Sequence, residues 1–145
     1  HAAYGKFIKQ IDEPCDWRAP KNDALWNSGT DASPIKTAND PCPAGWRVPT
    51  YTELQSLIDS GSDWNKLNGV NGRYFGDGVE KLFLPAAGGR DHIDGGMYGT
   101  GETGLYWSGI VNSIGTHLLH FGSGFVHTGS TFRAYGFSVR CVADL

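Results

Sequence analysis

The stretch PTYTELQSLIDSG, from Pro49 to Gly61, carries the clearest structural signal in the sequence. Thr50 is a good N-cap residue and Glu53 stands three positions later, which makes a capping box. Gly61 suits the left-handed position at which helices often end. The apolar residues in between fall on one helical face: Tyr51, Leu54, Leu57 and Ile58. The stretch therefore predicts an amphipathic helix that packs on a core.

Downstream of this helix the pattern changes to short strands. SDWNKLNG predicts one further helical turn, with Ser62 as its cap and Trp64 packing inward. After Gly69 the apolar runs are short and are separated by glycines, which is typical of strands and hairpins. The predicted strands are KLFLPAA (Lys81–Ala87), GLYWSG (Gly104–Gly109), THLLHF and FVHT around a turn at Gly122–Gly124, and a half-buried GFSVRCVADL at the end. Together these patterns predict an α+β fold.

Length and composition limit the class of protein. The 145 residues suit one domain over 1–145, and 39% hydrophobic residues favour a packed core over disorder. A net charge of -3 offers no electrostatic basis for binding nucleic acid. No apolar run approaches the ~20 residues that a membrane-spanning helix needs, so we expect no direct membrane insertion.

The cysteines are Cys15, Cys42 and Cys141. Their spacing does not match a zinc site. A disulfide between Cys42 and Cys141 is the favoured interpretation, since both lie in stretches with structural signals. The alternative is three buried thiols in a reducing compartment, and the pairing state of Cys15 stays open.

The segment between Glu102 and Arg133 contains no Asp, Glu, Lys or Arg. It holds three of the five histidines, and apolar residues stand where turns are expected, as in GIVNSIG. Apolar and aromatic side chains on loops, mixed with small hydroxyl residues, are typical of recognition surfaces. The alternative is an ordinary strand bundle in which charge is absent by chance.

Catalytic and metal-binding patterns are weak. His117 and His120 are three positions apart on a predicted strand, so they face opposite sides and do not form a shared ligand set. Asp91, Asp94 and Glu102 flank a glycine-rich stretch that is better explained as a surface loop than as an acid pair or a calcium loop. We therefore expect no metal ligands among these residues, no cofactor and no enzymatic activity, and whether a structural metal ion is bound stays open.

Three motifs carry a resemblance to a known family. DPCPAGWRVPTYTEL (Asp40–Leu54), GLYWSG and RAYGFSVRCV (Arg133–Val142) together resemble the Fibrobacter succinogenes major paralogous domain, which occurs on surface and secreted proteins of Bacteroidetes-type bacteria. The resemblance implies a C-type-lectin-like fold, with a twisted antiparallel sheet, one or two short helices and long loops. WRVPTYTEL is also similar to a motif of formylglycine-generating enzymes, but their reactive cysteine arrangement is not found here. The EPN, QPD and WND motifs of calcium-dependent sugar binders do not occur either.

A narrower resemblance concerns the C-terminal segment. The frame YWSG…LxF…RAxGFSVRC is similar to the variable region of proteins that diversity-generating retroelements rewrite at AAY codons. Such codons cannot yield Lys, Glu, Gln, Met or Trp, and residues 108–135 contain none of these. The positions that the resemblance marks as variable, and thus as ligand-binding, are Leu105, Ile110, Asn112, Ile114, His117, Leu118, His120, Gly122, Phe125, His127, Thr131, Phe132 and Tyr135. The positions that it marks as scaffold are Tyr106, Trp107, Leu119, Phe121, Arg133, Gly136 and Phe137.

These observations predict a non-enzymatic, extracellular or cell-surface binding domain, an adhesin-like part of a larger surface protein or assembly. Its partner would be a protein or glycan on another cell or surface. The first alternative is a carbohydrate-binding module that uses Trp17, Trp26 or Trp64 as sugar platforms. The second alternative is a structural module of a pilus or surface layer.

Overall fold

The protein is described by a computed structural model that covers residues 6–13, 15–113 and 115–145. Ile114, one of the predicted binding positions, lies outside these residues. The described part contains one helix, α1 (Tyr51–Asp59), and short strands. The strands are β1 (Trp46–Arg47), β2 (Ser62–Leu67), β3 (Val70–Phe75), β4 (Leu82–Pro85), β5 (Gly89–Arg90), β6 (Met97–Tyr98), β7 (Gly104–Val111), β8 (Thr116–Phe121), β9 (Val126–Thr131) and β10 (Val142–Ala143). The α+β class is confirmed.

Helix α1 forms as its sequence predicts. The Thr50 hydroxyl accepts a hydrogen bond from the Glu53 backbone N–H, and the Glu53 carboxylate accepts one from the Thr50 N–H, so the capping box is complete. The helix ends at Asp59, and Gly61 has a left-handed backbone with φ of 82°. Leu54 is the most deeply buried residue of its apolar face. Local chemistry therefore fixes the start of this helix, and packing of its apolar face holds it against the core.

The predicted helical turn at SDWNKLNG is wrong. Ser62–Leu67 is strand β2, and it forms a hairpin with β3 in which Leu67 faces Val70. The two residues of the loop, Asn68 and Gly69, have φ of 51° and 84°. Two consecutive left-handed residues are what a tight hairpin turn requires, and Asn-Gly is the dipeptide that adopts them most readily. Trp64 does pack inward, against the core.

The strands form small antiparallel sheets, and the three-stranded sheet β7–β8–β9 lies at the centre of the described structure. The predicted hairpin at Gly122–Gly124 joins β8 to β9, and KLFLPAA supplies β4, which pairs with β3. The predicted terminal strand is wrong in its extent, because only Val142–Ala143 forms a ladder, with β1. Ser138 instead makes an isolated bridge to Tyr106. The segment before β10 thus lies along β7 without joining a regular sheet.

The sheet β7–β8–β9 has a core on each side, because successive strand residues point to opposite faces. The first core packs against α1 and β3–β4 and contains Leu54, Phe75, Leu84, Tyr106, Leu119 and Phe121. The second contains Leu105, Trp107 and Leu118, covered by Trp26, Tyr135, Phe137 and Val139. Both faces of the strand GLYWSG are therefore buried over most of its length.

The disulfide between Cys42 and Cys141 is confirmed, with Cα atoms 5.8 Å apart. It joins the loop before β1 to the residue that precedes β10. Cys15 is a free, buried thiol, and burial raises its pKa. Within the described residues, no helix is long and apolar enough to cross a membrane.

Candidate functional site

A depression of about 260 Å³ opens on the face of β7–β8–β9 that points away from α1. Because successive side chains of a strand point to opposite faces of a sheet, alternate residues of each strand line it. Leu105, Leu118 and His120 come from β7 and β8, and His127 and Thr131 come from β9. We call this depression the groove. Its full lining is Tyr98, Leu105, Leu118, His120, His127, Gly129, Ser130, Thr131, Tyr135 and Phe137.

One end of the groove is a cluster of three rings. His120 and His127 are cross-strand partners with ring centroids 5.1 Å apart. Phe125, from the β8–β9 turn, lies edge-on to His120 at 4.9 Å and 5.5 Å from His127. Phe125 and His127 are exposed, whereas His120 is half-buried. Burial, and secondarily the neighbouring His127, lowers the pKa of His120, so its uncharged imidazole is favoured.

The other end of the groove is built from tyrosines. Tyr135 stacks on Phe137 at 5.4 Å and approaches Tyr98, in β6, at 6.5 Å. Burial, and to a lesser extent Tyr135 and Asp91, raises the pKa of Tyr98 to about 12. The pKa of Tyr135 is also raised, chiefly by burial. Both phenols therefore stay protonated at neutral pH and offer hydroxyl donors at the rim of an aromatic wall.

Many of the predicted binding positions meet in this groove, although they are scattered along the sequence. The lining includes six of them: Leu105, Leu118, His120, His127, Thr131 and Tyr135. Leu105 and Leu118 are only 4% and 5% exposed, so they form its floor. Phe125 adds an exposed ring beside His120.

Other predicted positions lie elsewhere. His117 points to the opposite face of the sheet, where its ring is 4.7 Å from that of Tyr51. Phe132 packs near His92, with centroids 5.8 Å apart. Ile110 lines a separate depression beside Asn27.

Two further positions serve local turns. Asn112 shapes the turn between β7 and β8, where its side-chain oxygen accepts a hydrogen bond from the Gly115 N–H. Gly122 is buried at the start of the β8–β9 turn, where an added Cβ would lie 2.6 Å from the Phe125 ring. A side chain at position 122 would therefore displace Phe125.

The sequence interpretation did not assign Tyr98, Gly129 or Phe137 to the binding surface. Phe137 was placed in the scaffold, and it does pack on Trp107, at 4.4 Å between ring centroids. Its ring also lines the groove. Tyr98 reaches the groove from β6, which lies in a glycine-rich stretch that is remote in sequence. An aromatic residue among glycines was the only local sign of its role.

The groove lining contains no Asp, Glu, Lys or Arg. In the described part of the chain, no group of three or more His, Cys, Asp or Glu residues is placed to hold a metal ion. The groove's chemistry is that of aromatic faces, two imidazoles and a few hydroxyl groups.

Comparison with protein-family models, curated proteins and solved structures gives no match to this chain.

The tryptophans that could serve as sugar platforms, Trp17, Trp26 and Trp64, do not line the groove. Trp17 and Trp26 lie side by side with centroids 5.8 Å apart, and both are half-buried. Trp26 also covers the second core. Trp64 packs edge-on to Phe121 at 6.5 Å. Trp17 and Trp26 are therefore the only adjacent pair of indoles among these three.

Proposed function

We propose that this protein is a non-enzymatic, surface-displayed ligand-binding domain, and that the groove with Phe125 is its contact surface. The observation that carries the proposal is the convergence of Leu105, Leu118, His120, His127 and Tyr135. The resemblance to retroelement-diversified proteins marks these residues as variable, and they line one groove. A set of contact residues should show this kind of spatial grouping.

The composition of the groove supports recognition by shape and apolar complementarity. Phe125 and Tyr135 are rigid aromatic anchors with few rotatable bonds, which lowers the entropy lost on binding. His127 and Thr131 supply adaptable hydrogen bonds beside them. Because the lining is uncharged, a ligand can enter it without removing water from a buried protein charge. The groove suits an uncharged or weakly polar surface of a protein or glycan.

The buried scaffold residues around the groove, which we call the frame, suit a surface whose contact residues change. Trp107, Leu119 and Phe121 are at most 1% exposed and belong to the cores on the two sides of the sheet. They are scaffold positions in the proposed family, the Fibrobacter succinogenes major paralogous domain with its C-type-lectin-like fold. The disulfide Cys42–Cys141 fits an oxidising, extracellular compartment.

The first test compares two triple variants on arrays of glycans and of extracellular proteins. The groove variant is Phe125→Ala, His127→Ala and Tyr135→Ala. The control variant removes exposed apolar side chains elsewhere, Ile35→Ala, Leu67→Ala and Val70→Ala. Ligands bound by the parent should lose about tenfold or more in affinity for the groove variant only. Equal affinity of all three proteins would show that the groove is not the contact surface.

A second test addresses the proposed diversification. The gene's surroundings should contain a reverse-transcriptase gene and a near-copy of the segment for residues 105–135, with Asn codons at the positions named above. If the genome that encodes this chain lacks such a copy, the diversification proposal is wrong and the protein is an ordinary surface domain.

The second candidate function is a carbohydrate-binding module, which the adjacent indoles of Trp17 and Trp26 favour. Aromatic faces stack on the apolar faces of sugars. On the glycan array, this function predicts hits that Trp17→Ala abolishes and that the groove variant leaves unchanged. The two candidates therefore give opposite results with the same variants.

A further inference from the structure

His120 and His127 have a geometry that ligand binding by shape does not require. They are paired across β8 and β9, and their ring centroids are 5.1 Å apart. Within the described residues, neither ring forms a hydrogen bond to the protein. His92, by contrast, uses its Nδ1 to contact the Gln10 carbonyl oxygen at 2.9 Å.

The separation of the two rings matches that of two imidazoles on one metal ion. A coordinating nitrogen lies ~2.1 Å from a zinc ion, and the ring centre lies about 1.1 Å further out, so two rings at a tetrahedral angle have centres about 5.2 Å apart. The ring planes are inclined by 67°. Because the Cβ–Cγ torsion of histidine is broad, both rings can rotate while the strands stay in place.

The exposure of the pair also suits an ion. His127 is exposed, so an ion can reach the pair from solvent. The groove lining has no Lys or Arg to repel a cation.

We infer that His120 and His127 form a two-imidazole site for a divalent transition-metal ion such as Zn²⁺ or Ni²⁺, with water in the remaining positions. Imidazole is a ligand that these ions prefer. The site lacks the carboxylates that usually orient ligating histidines, so its affinity is modest. His117 cannot contribute, because it lies on the other face of the sheet. The inference stands or falls separately from ligand recognition by the groove.

The test is a titration of the full chain with Zn²⁺ alone, followed by NMR of the histidine rings and by calorimetry. His1 is replaced by Ala in every sample, so that the four histidines of the described part remain. The ring signals of His120 and His127 should shift together and saturate. His120→Gln and His127→Gln should each weaken Zn²⁺ binding by about tenfold or more, and the matched control His117→Gln should change it by less than about twofold.

Two results would overturn the site. One is a saturable response in which the signals of His120 and His127 stay unmoved while another histidine shifts. The other is no saturable binding below about 1 mM Zn²⁺. Because the NMR readout uses the unsubstituted pair, it decides the question even if a glutamine variant folds poorly.

Discussion

His120 and His127 lie directly opposite each other on β8 and β9, while His117, three positions before His120 on the same strand, packs on Tyr51 of α1. The alternation of a strand therefore sorts three histidines of one segment into two environments. His120 and His127 line a groove that opens to solvent, and His117 packs against helix α1.

Acidification should destabilise the protein through His120. Burial, and then His127, lowers the pKa of His120 below its usual 6.5. The unfolded chain therefore takes up this proton at a pH where the folded protein does not. The contribution of His120 to the free energy of unfolding is complete above pH 6.5, and it is lost as the pH falls towards and through the folded-state pKa. The midpoint of thermal unfolding should fall between about pH 7 and about pH 5, and this fall should be smaller in His120→Gln. His117→Gln is the control, and an equally steep fall in His120→Gln would contradict the assignment.

Frame and contact residues should differ in their effect on stability. Phe121 is 0% exposed and packs against Phe75 and Tyr106, so Phe121→Ala should cost about 3–5 kcal/mol of unfolding free energy. Phe125 is 40% exposed at the groove's edge, so Phe125→Ala should cost less than about 1 kcal/mol. Urea unfolding at neutral pH measures both changes. Similar losses in the two variants would mean that Phe125 belongs to the frame.

Elements that depend on local chemistry could be predicted from the sequence. The capping box of Thr50 and Glu53 fixed the start of α1, and the alternation around Trp107 identified β7. The β2–β3 hairpin was missed because Ser62 is also a good helix cap and Trp64 can pack inward from a helical turn as well as from a strand. The decisive signal was present in Asn68-Gly69, whose left-handed preference specifies a tight hairpin turn.

Substitutions at two glycines of the sheet β7–β8–β9, Gly104 and Gly129, test its packing. A Cβ on Gly104 would lie 2.0 Å from the Phe121 ring, which is held on all sides by the core. Gly104→Ala should therefore cost about 1–3 kcal/mol. Gly129, in the groove, is the matched control, because its nearest neighbour would be a Leu118 methyl at 3.9 Å. Gly129→Ala should leave the denaturation midpoint unchanged or raise it, and equal losses would refute this account of Gly104.

Part of the groove lining was predicted as a binding surface from the sequence, and the rest was not. The absence of charge drew attention to residues 103–132, which include β8 and β9, and alternation explains why His120 and His127 share a face. Tyr98 could not be assigned, because its place in the groove depends on the β5–β6 hairpin lying beside Tyr135. Phe132 was assigned to the surface, but a turn directs its ring towards His92. Long-range packing, which a local pattern does not encode, decides both positions.

The disulfide should contribute a large part of the stability, because it closes a long loop. Cys42 and Cys141 are 99 positions apart, for which the chain-entropy estimate is about 4–5 kcal/mol. The double variant Cys42→Ser, Cys141→Ser should lose about this much in urea unfolding. Cys15→Ser is the control, since this thiol forms no disulfide. Dithiothreitol should lower the unfolding midpoint of the parent and of Cys15→Ser but not that of the double variant. If dithiothreitol shifts all three equally, the effect does not come from the bond between Cys42 and Cys141.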